Sequence, residues 1–469
     1  MTTDVAPDPA FTLATTDDMA FIAGELERER LDTERLEPQQ FITIREGGRI
    51  VAFGRIKPYE HTYELGSVCV AEDRRGRGLG ERITRELIRR FPQDEVFLTT
   101  DAAVGLAAYY ERLGFLRTEI LPEELQRKVA WIRESGLRDD PIGMIYDRRI
   151  EHLPGIADVY RAKHLLEDYL QRTPLVRNPV ISRELGFEAY LKLENLQPIG
   201  AFKVRGGVYL CAGMSDEERT RGIIGASTGN HGQSLAYGAH LCGIRCVIAM
   251  PEEANPMKVE SMRGLGATVE FHGANFEEAR EWAEGHAENE GLRYIHHANA
   301  PMLVTGVSTM SLEVMEDLPD VDVILTPIGG GSGALGHCLV AKALSQNVEV
   351  IGVQAAGAPA VYESWKSRTL RSATINTAAE GLATGNAYYP AVKTLIDNLD
   401  DFVLVSEKEI RDAMLLLART AHQVVEEAGA AATAAAVQLK DRLAGKKVAI
   451  IVSGGNVPLD HLRRVLLDA

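Results

Sequence analysis

Short apolar runs that end in polar or glycine-rich loops recur along this chain, and helical segments follow them. One such run lies at residues 223–225 and precedes a stretch of helical composition at 235–241. Further apolar runs lie at 323–327 and 448–452. Apolar runs bounded by glycine are typical of strands buried in a parallel sheet. Their alternation with helices predicts an α/β fold from residue 154 onward.

The residues before this region show a different pattern. Residues 62–70 and 96–100 are predicted as strands. Residues 81–90 carry their apolar side chains at helical spacing, which suits an amphipathic helix. Residues 102–113 are predicted as a second helix, because Gly114 follows them and glycine is favoured just past a helix end. These strands and helices predict a separate α+β domain.

The predicted boundary falls in a charged, turn-prone stretch. Residues 138–141 read Arg-Asp-Asp-Pro, a sequence that favours a turn. A chain of 469 residues is expected to hold two or three domains. The apolar run at 144–146 also suits a last strand of the first domain, which leaves the end of that domain open. The predicted first domain, linker and second domain are 1–125, 126–153 and 154–469.

Lys203 is the first candidate for covalent chemistry. It lies between a small-residue turn and the pair Gly206 and Gly207. A lysine amine held there forms a Schiff base with an aldehyde if desolvation or a nearby cation keeps part of it neutral. The alternative is a surface lysine that opens a helix.

Two loops follow predicted strands and could hold anions. Residues 226–234 read Ala-Ser-Thr-Gly-Asn-His-Gly-Gln-Ser and lead into a helix. The loop amides and the helix N-terminus favour a carboxylate, although the same residue types also act as ordinary helix caps. Residues 328–336 form a glycine-rich turn that opens another helix. Glycines let backbone N–H groups approach phosphate oxygens closely.

The second of these loops also contains the spacing of a dinucleotide fingerprint. Residues 331–336 spell G-x-G-x-x-G, which requires an acidic residue at the end of the next strand. The only carboxylate of that strand, Glu349, lies at its start. We therefore interpret the loop as a phosphate cradle rather than a site for NAD. A further strand ends at Ser453, followed by Gly454 and Gly455, which alone is an ordinary strand-end turn.

Together these four segments resemble the fold-type-II pyridoxal-phosphate enzymes, specifically the serine/threonine dehydratase and serine racemase group. The resemblance runs from about residue 154 to residue 469 and implies two α/β subdomains like those of the tryptophan synthase β subunit. It implies pyridoxal 5'-phosphate as cofactor, a homodimer, and release of ammonia from a hydroxy amino acid such as L-threonine or L-serine. β-Replacement and racemisation are the alternative reactions.

The resemblance also assigns roles to individual residues. Lys203 would bind the cofactor covalently and then act as the base for the α-proton. Asn230 would hydrogen-bond the ring hydroxyl, and Ser453 would meet the pyridine nitrogen. The phosphate would lie on four residues of the glycine loop: Gly329, Gly330, Gly331 and Ser332. The substrate site would hold five residues, of which the first two are also catalytic candidates: Ser227, Thr228, Gly229, Asn230 and His231.

This sequence departs from the group at several positions. Ser332 stands where a fourth glycine is common, and Thr228 stands where racemases keep a serine. Residues 354–360 offer no carboxylate, so no metal site is predicted there. Glu380 and Glu426 match acidic positions of the group, with no role assigned to them.

The first domain resembles GNAT-type N-acetyltransferases over about residues 10–121. Arg75, Gly78 and Gly80 match the R-x-x-G-x-G loop of that family, and residues 109–115 match its closing signature. A basic glycine loop at a helix N-terminus is a pyrophosphate site in physical terms. The alternative from the residues alone is a basic loop that contacts nucleic acid or nothing.

The same resemblance implies how the first domain would use acetyl-CoA. The backbone amides of Val68 and Val70 would hold it together with the arginine loop. Glu64 would be a candidate base for the acceptor amine, and Tyr110 a candidate acid for the departing thiolate. A core-facing aromatic pair is the alternative for Tyr109 and Tyr110. The domain could therefore be an acetyltransferase or a module that senses acetyl-CoA and regulates the lyase.

Composition limits the remaining possibilities. The formal net charge of -16 disfavours general nucleic-acid binding, and no apolar stretch approaches the ~20 residues of a membrane span. Residues 1–9 lack the basic and apolar regions of a signal peptide. Five scattered cysteines without C-x-x-C spacing fit a reducing cytoplasm and give no zinc site.

Overall fold

The computed structural model describes residues 11–103, 105–254, 256–298 and 300–467. The chain divides into two compact units, Met1–Arg148 and Arg149–Ala469. The expectation about a signal peptide concerns residues 1–9, which lie outside the described residues.

The first unit combines antiparallel strands with four α-helices among its described residues. Its strands are β1 Phe11–Leu13, β2 Phe41–Glu46, β3 Arg49–Pro58, β4 Tyr63–Val70, β5 Glu95–Asp101, β6 Leu116–Thr118 and β7 Pro141–Asp147. Its helices are α1 Met19–Arg28, α2 Leu79–Arg90, α3 Leu106–Arg112 and α4 Glu123–Ser135. Strands β1 to β4 form one sheet in chain order, and β7 pairs antiparallel with both β5 and β6. The predicted α+β pattern is present in this unit.

The segment expected as a linker, 126–153, is largely regular structure of the first unit. Helix α4 buries Leu125, Val129 and Ile132 along one face. Strand β7 buries Met144 and Ile145 and completes the sheet with β5 and β6. The turn-prone residues 138–141 mark only the connection between α4 and β7. The unit therefore extends to residue 148, because strand pairing holds a segment that local turn signals alone suggested to be a linker.

The second unit contains eleven strands and fifteen α-helices in its described residues. Its strands are β8 Leu175–Arg177, β9 Glu188–Leu193, β10 Ile223–Ala226, β11 Cys246–Met250, β12 Thr268–Phe271, β13 Arg293–Tyr294, β14 Val323–Pro327, β15 Glu349–Ala355, β16 Thr369–Leu370, β17 Asp401–Val405 and β18 Lys447–Val452. Its helices are α5 Ile156–Leu166, α6 Pro179–Leu185, α7 Val204–Ala212, α8 Asp216–Arg221, α9 Asn230–Cys242, α10 Pro256–Gly264, α11 Phe276–Glu290, α12 Pro301–Asp317, α13 Ser332–Leu344, α14 Ala360–Ser367, α15 Tyr389–Asn398, α16 Glu407–Ala421, α17 Glu427–Gln438, α18 Lys440–Leu443 and α19 Leu459–Leu467.

Two sheets organise the second unit. The larger has six strands in the order β17-β15-β14-β18-β9-β8, all parallel except the β8–β9 pair. The smaller is parallel, in the order β12-β11-β10-β13. It is built from residues 223–294, so the predicted smaller subdomain is inserted in the larger one. In open parallel sheets, ligands bind beyond the carboxyl ends of the strands.

Helices α7 and α9 pack with their backbones in close contact. A Cβ atom added at Gly207 in α7 would lie 2.2 Å from the carbonyl oxygen of Ser234 in α9. One added at Gly238 in α9 would lie 2.5 Å from the carbonyl oxygen of Gly207. Only glycine allows these backbones to approach so closely. The contact holds together the two helices that begin next to Lys203 and at Asn230.

Candidate active site

Lys203 immediately precedes α7, and its amine points at the glycine-rich loop. Its Nζ donates a hydrogen bond to Ser332 Oγ at 2.9 Å. The side chain is half-buried, and burial lowers the pKa of the amine to about 8. Part of the amine is therefore neutral at physiological pH, and the neutral form is the one that attacks an aldehyde. The structure thus brings together two predicted site residues that are 129 positions apart.

The glycine loop between β14 and α13 is closely surrounded. A Cβ atom at Gly329 would lie 2.3 Å from the carbonyl oxygen of Gly381, and one at Gly331 would lie 2.7 Å from Ala391 Cβ. Gly331 also has a φ of +98°. Only glycine satisfies these restrictions. The loop exposes backbone N–H groups at the start of α13, which favours phosphate.

The loop after β10 is organised by Ser227. The buried Ser227 Oγ accepts hydrogen bonds from the backbone N–H groups of Gly229, at 3.1 Å, and Gly232, at 2.9 Å. Thr228 is half-buried beside it. His231 is buried, and its Nε2 has no hydrogen-bond partner among the described residues. Burial holds the pKa of His231 well below its usual range, so the ring is neutral.

Asn230 and Ser453 lie where the two subdomains meet. Asn230 Nδ2 donates to Glu426 Oε1 at 2.7 Å, and Asn230 Oδ1 accepts from Asn456 Nδ2 at 2.7 Å. Ser453 Oγ is buried and donates to the carbonyl oxygen of Ala428 at 3.2 Å. The backbone carbonyl of Ser453 accepts from the N–H of Phe202, which ties the end of β18 to the lysine segment.

Two neighbouring histidines lie close to the glycine-rich loop of the site. His296 and His297 stack with ring centroids 4.7 Å apart. A Cβ atom at Gly330 would lie 3.5 Å from His297 Cδ2, so this ring contacts the glycine loop. Burial lowers the pKa of His297 to about 3, so the ring is neutral. The signal in the sequence is weak, because a histidine pair in an apolar stretch is more often part of a core.

A buried ionic cluster supports the start of α7. Arg205 donates hydrogen bonds to Glu194 and to Glu313, and Lys192 Nζ donates to Glu313 Oε2 at 2.5 Å. Two cations thus face two carboxylates with little exposure to solvent. The burial is tolerable because each charge is paired and hydrogen-bonded. Arg205 lies two residues after Lys203, so the cluster fixes the first turn of the helix that begins directly after the lysine.

These residues fit a phosphorylated aldehyde cofactor. The glycine cradle suits a phosphate, and a partly neutral lysine amine lies 2.9 Å from the serine of that cradle. The buried Ser453 hydroxyl and the Asn230 amide offer polar groups to a ring. The part of the chain that the structure describes contains no group of three or more His, Cys, Asp or Glu side chains able to hold a metal ion.

In the first unit, Glu64 is strongly engaged. Its carboxylate accepts from Lys128 Nζ at 2.6 Å and 2.8 Å, from Tyr59 Oη at 2.8 Å and from Thr99 Oγ1 at 2.5 Å. Only 3% of the residue is exposed. A base for an incoming amine needs a free lone pair directed at it. Sequence reasoning did not find Lys128, which lies in α4 within the expected linker.

The predicted acetyl-CoA residues cluster at one end of β4. The register of β3 and β4 shifts near Gly54, and Ser67 has a φ of +51° beside Val68. This bulge frees backbone groups from the ladder. Beyond Val70 the chain enters the arginine loop, where Gly76 and Gly78 both have a φ of +77°. Helix α2 then begins without a side-chain cap, so its first N–H groups remain available to an anion.

The loop arginine and the two tyrosines differ in exposure. Arg75 is exposed, pairs with Glu29 at 2.7 Å and donates to the carbonyl oxygen of Val70. Tyr110 packs edge-on against Tyr109, and burial raises its pKa above the usual phenol range. A Cβ atom at Gly80 would lie 3.3 Å from Tyr109 Oη, so the phenol beside the arginine loop is that of Tyr109.

A cavity of about 430 Å³ lies on the α1 side of the first unit. Apolar residues of β3 and Phe21 line it together with charged residues at its rim. The predicted residues of this unit do not line it: Glu64, Val68, Val70, Arg75, Gly78, Gly80 and Tyr110. Among the residues that the structure describes in either unit, no helix combines the length and the apolar character needed to cross a membrane.

Comparisons with known proteins agree with both units. Residues 10–115 match the acetyltransferase (GNAT) family, and residues 166–454 match the family described as pyridoxal-phosphate dependent enzyme. An L-threonine ammonia-lyase of Thermotoga maritima is 40% identical over 315 residues, which cover 66% of this chain and 78% of that protein. A serine racemase of Dictyostelium discoideum is 35% identical over 318 residues, covering 66% and 97%.

A solved structure has the same architecture as the second unit. The processed form of threonine deaminase isoform 2 from Solanum lycopersicum has a TM-score of 0.64 at 28% identity, covering 68% of this chain and 88% of that one. The predicted fold class and both predicted family resemblances are confirmed. With a GNAT domain preceding its catalytic unit, the chain belongs to the pyridoxal-phosphate dependent enzyme family.

Proposed function

We propose that this protein is a pyridoxal-phosphate-dependent ammonia-lyase that acts on a hydroxy amino acid such as L-threonine or L-serine. The observation that carries the proposal is the Lys203 amine, half-buried, partly neutral and 2.9 Å from the hydroxyl of the glycine loop. The 40% identity to an L-threonine ammonia-lyase supports the choice of reaction and substrate. The products are a 2-oxo acid and ammonia.

Each group of the chain has a distinct task in this proposal. The cofactor, when bound, withdraws electrons from the substrate α-carbon. Gly329, Gly330, Gly331 and Ser332 would hold its phosphate. Lys203 Nζ would hold the cofactor and, when free, would accept the α-proton. Asn230 would donate a hydrogen bond to the ring hydroxyl.

The remaining residues orient the substrate and tune the ring. The substrate carboxylate would lie against the loop amides that Ser227 orders. The other residues of this site would be Thr228, Gly229, Asn230 and His231. A neutral His231 lines this site without adding charge. Ser453 would offer a neutral hydroxyl to the ring nitrogen and would not hold a proton there as a carboxylate does. This favours early loss of the β-hydroxyl over a long-lived negative charge at the α-carbon.

The proposal is tested by measuring ammonia and 2-oxo acid together from L-threonine and L-serine. We expect equal amounts of both products from the purified protein with pyridoxal phosphate, and neither product from Lys203→Ala. Turnover only in the presence of an added nucleophile would instead identify β-replacement. Chiral analysis of the remaining serine measures racemisation in the same samples.

Racemisation is a second candidate because of the 35% identity to a serine racemase. That reaction needs an acid/base on the face of the substrate opposite Lys203. Thr228 carries a hydroxyl in the loop that would receive the substrate. Thr228→Ser should raise D-serine formation if its methyl group hinders this role, whereas Thr228→Val should abolish it.

We further propose that the first unit binds acetyl-CoA. The uncapped N-terminus of α2, the loop from Arg75 through Gly78 to Gly80 and the bulge before Val68 and Val70 support this. Glu64 as base and Tyr110 as acid remain the proposed catalytic pair, and Glu64 would act once the incoming amine replaces Lys128 on its carboxylate. Isothermal titration with acetyl-CoA tests binding, and labelled acetyl-CoA with a panel of amines tests transfer. Binding without transfer would make the unit a sensor.

The proposal extends to assembly and compartment. A homodimer is the expected form, and light scattering of the purified chain measures its mass. The described cysteines form no disulfide, which fits a reducing cytoplasm. The net charge of -16 supports the expectation of no nucleic-acid partner.

A further inference from the structure

Glu426 directly precedes α17 and reaches the residue expected to contact the cofactor ring. Its Oε1 accepts a hydrogen bond from Asn230 Nδ2 at 2.7 Å. A Cβ atom at Gly454 would lie 2.2 Å from this Oε1 and 3.4 Å from Asn230 Nδ2. The glycine after Ser453 therefore leaves the space that this hydrogen bond occupies.

The Asn230 amide is oriented from both of its ends. Its Oδ1 accepts from Asn456 Nδ2, which also donates to the carbonyl oxygen of Ile199 at 2.8 Å. An amide nitrogen carries two N–H groups. With one N–H directed at Glu426 and the oxygen directed at Asn456, a single N–H of Asn230 remains for a ligand.

Few charges face the Glu426 carboxylate. Lys258 of α10 is the nearby cation, but its Nζ is paired with Glu380. Glu427, the next residue of the chain, is a second carboxyl nearby. No lysine, arginine or histidine nitrogen lies within 4 Å of Glu426 among the residues that the structure describes. A carboxylate without its own cation depends on hydrogen bonds, and here the donor is Asn230.

We propose that Glu426 is a positioning residue of the cofactor site, which holds the free N–H of Asn230 toward the ring hydroxyl of pyridoxal phosphate. The inference rests on the proposed function, since it assumes that Asn230 meets that hydroxyl. A carboxylate can only accept hydrogen bonds, so it selects the orientation in which Nδ2 faces it. A protonated carboxyl can also donate and loses this selectivity.

Protonation of Glu426 should make this positioning depend on pH. Burial raises the pKa of Glu426 to about 7. The orientation of Asn230 is therefore selected above about pH 7 and is weakened below it. Affinity for the cofactor should rise through this range for the natural protein, and a group that cannot ionise at position 426 should remove the rise.

The test compares two cofactors on four proteins. Absorbance titration measures the binding of pyridoxal phosphate and of its 3-deoxy analogue, which lacks the ring hydroxyl, to the natural protein and to Glu426→Ala, Glu426→Gln and Glu427→Gln. Glu427 is the matched control, because it is the adjacent buried carboxylate and faces His461 at 3.1 Å. Circular dichroism confirms that each variant is folded.

We expect Glu426→Ala to bind pyridoxal phosphate about tenfold more weakly, a loss typical of one hydrogen bond that leaves a partner unsatisfied. Its affinity for the 3-deoxy analogue should equal that of the natural protein. Glu426→Gln offers both an acceptor and a donor, as the protonated carboxyl does, so at every pH it should bind pyridoxal phosphate with the weaker affinity of the natural protein below pH 7. Glu427→Gln should bind both cofactors as tightly as the natural protein at high pH, but its rise in affinity should move to lower pH, because a negative charge that raises the pKa of Glu426 is lost.

An equal loss for both cofactors in Glu426→Ala would overturn the inference, because it would reveal a general structural defect. Unchanged affinity would overturn it as well. If the natural protein binds neither cofactor, the proposed function itself fails, and that result is distinct from either outcome of the variants.

Discussion

The two units present the same local pattern, a strand, a glycine-rich turn and a helix, in opposite surroundings. In the first unit the turn is exposed, and a Cβ atom at Gly76 or Gly78 would meet nothing within 4 Å. In the second unit, Cβ atoms at Gly329 and Gly331 would collide with neighbouring segments. An open basic loop suits a ligand that enters and leaves, whereas an enclosed neutral loop suits a resident group.

The carboxylates of the two units show the same contrast. Glu64 is held by Lys128 and two hydroxyl donors. Glu426 has no such cation among the described residues and accepts from Asn230. A paired carboxylate stabilises its surroundings, while an unpaired one near a cleft keeps a capacity to change its protonation at neutral pH. The comparison predicts that cofactor binding in the second unit depends on pH through Glu426.

The largest expected effect follows from removing the amine of the enclosed site. Lys203→Ala should lower ammonia release by about 10²–10⁴-fold or more, since both the attachment and the general base are lost. Borohydride reduction and peptide mass spectrometry should find the cofactor on Lys203 in the natural protein. An adduct at a different lysine would refute the assignment.

A matched pair of substitutions tests the difference in enclosure. Gly329→Ala places a methyl group against the Gly381 carbonyl and should cost about 1–3 kcal/mol through overpacking. It should also lower cofactor content. Gly78→Ala meets no neighbour but adopts a left-handed φ, which costs about 1–2 kcal/mol locally.

Calorimetry and cofactor absorbance of both variants measure these effects. Gly78→Ala should leave cofactor content unchanged while weakening acetyl-CoA binding. An equal loss of pyridoxal phosphate in Gly329→Ala and Gly78→Ala would contradict the proposal that only the enclosed loop holds this cofactor.

The buried amine should make cofactor capture dependent on pH. Burial lowers the pKa of Lys203 to about 8, so the neutral fraction grows about tenfold per pH unit below that value. The rate of covalent capture by the cofactor-free protein should rise accordingly and level off above about pH 8. Stopped-flow absorbance measures it. A rise that continues to pH 10 would indicate a fully hydrated amine.

The smallest effect is expected at the exposed arginine loop. Arg75→Ala should weaken acetyl-CoA binding by about two- to fivefold, because exposed ionic contacts contribute about 0–1 kcal/mol. The loss should shrink as salt is added. Arg85→Ala is the control, since Arg85 is exposed and paired with Glu81 in the same helix. An equal loss of acetyl-CoA affinity in both variants would indicate that acetyl-CoA is attracted by the overall positive charge of this surface and not by a specific site at Arg75.

Much of the fold and of the enclosed site was predictable from local patterns. Strand ends led directly to the loops at Ser227, Gly329 and Ser453, because a parallel sheet collects such loops at one edge. The alanine-rich run 428–436 predicts a closely packed helix, and it lies within the buried helix α17. The carboxylate Glu349 lies at the start of β15, as the sequence indicated. Its ion pairs with Arg442 and Lys446 are seen only in the structure.

The amino-acid sequence by itself determined the fold class, the two families and the order of the segments that carry the chemistry, because these follow from periodicity and short motifs. Three contacts were decided only by the tertiary structure. Asn230 donates a hydrogen bond to Glu426, which lies 196 positions away, and Lys128 donates one to Glu64. Strand β7 pairs with β5 and so belongs to the first unit. Such pairings depend on which distant strands and helices pack together. Local residue preferences do not determine these pairings, because the pairings depend on burial and strand pairing across the whole chain.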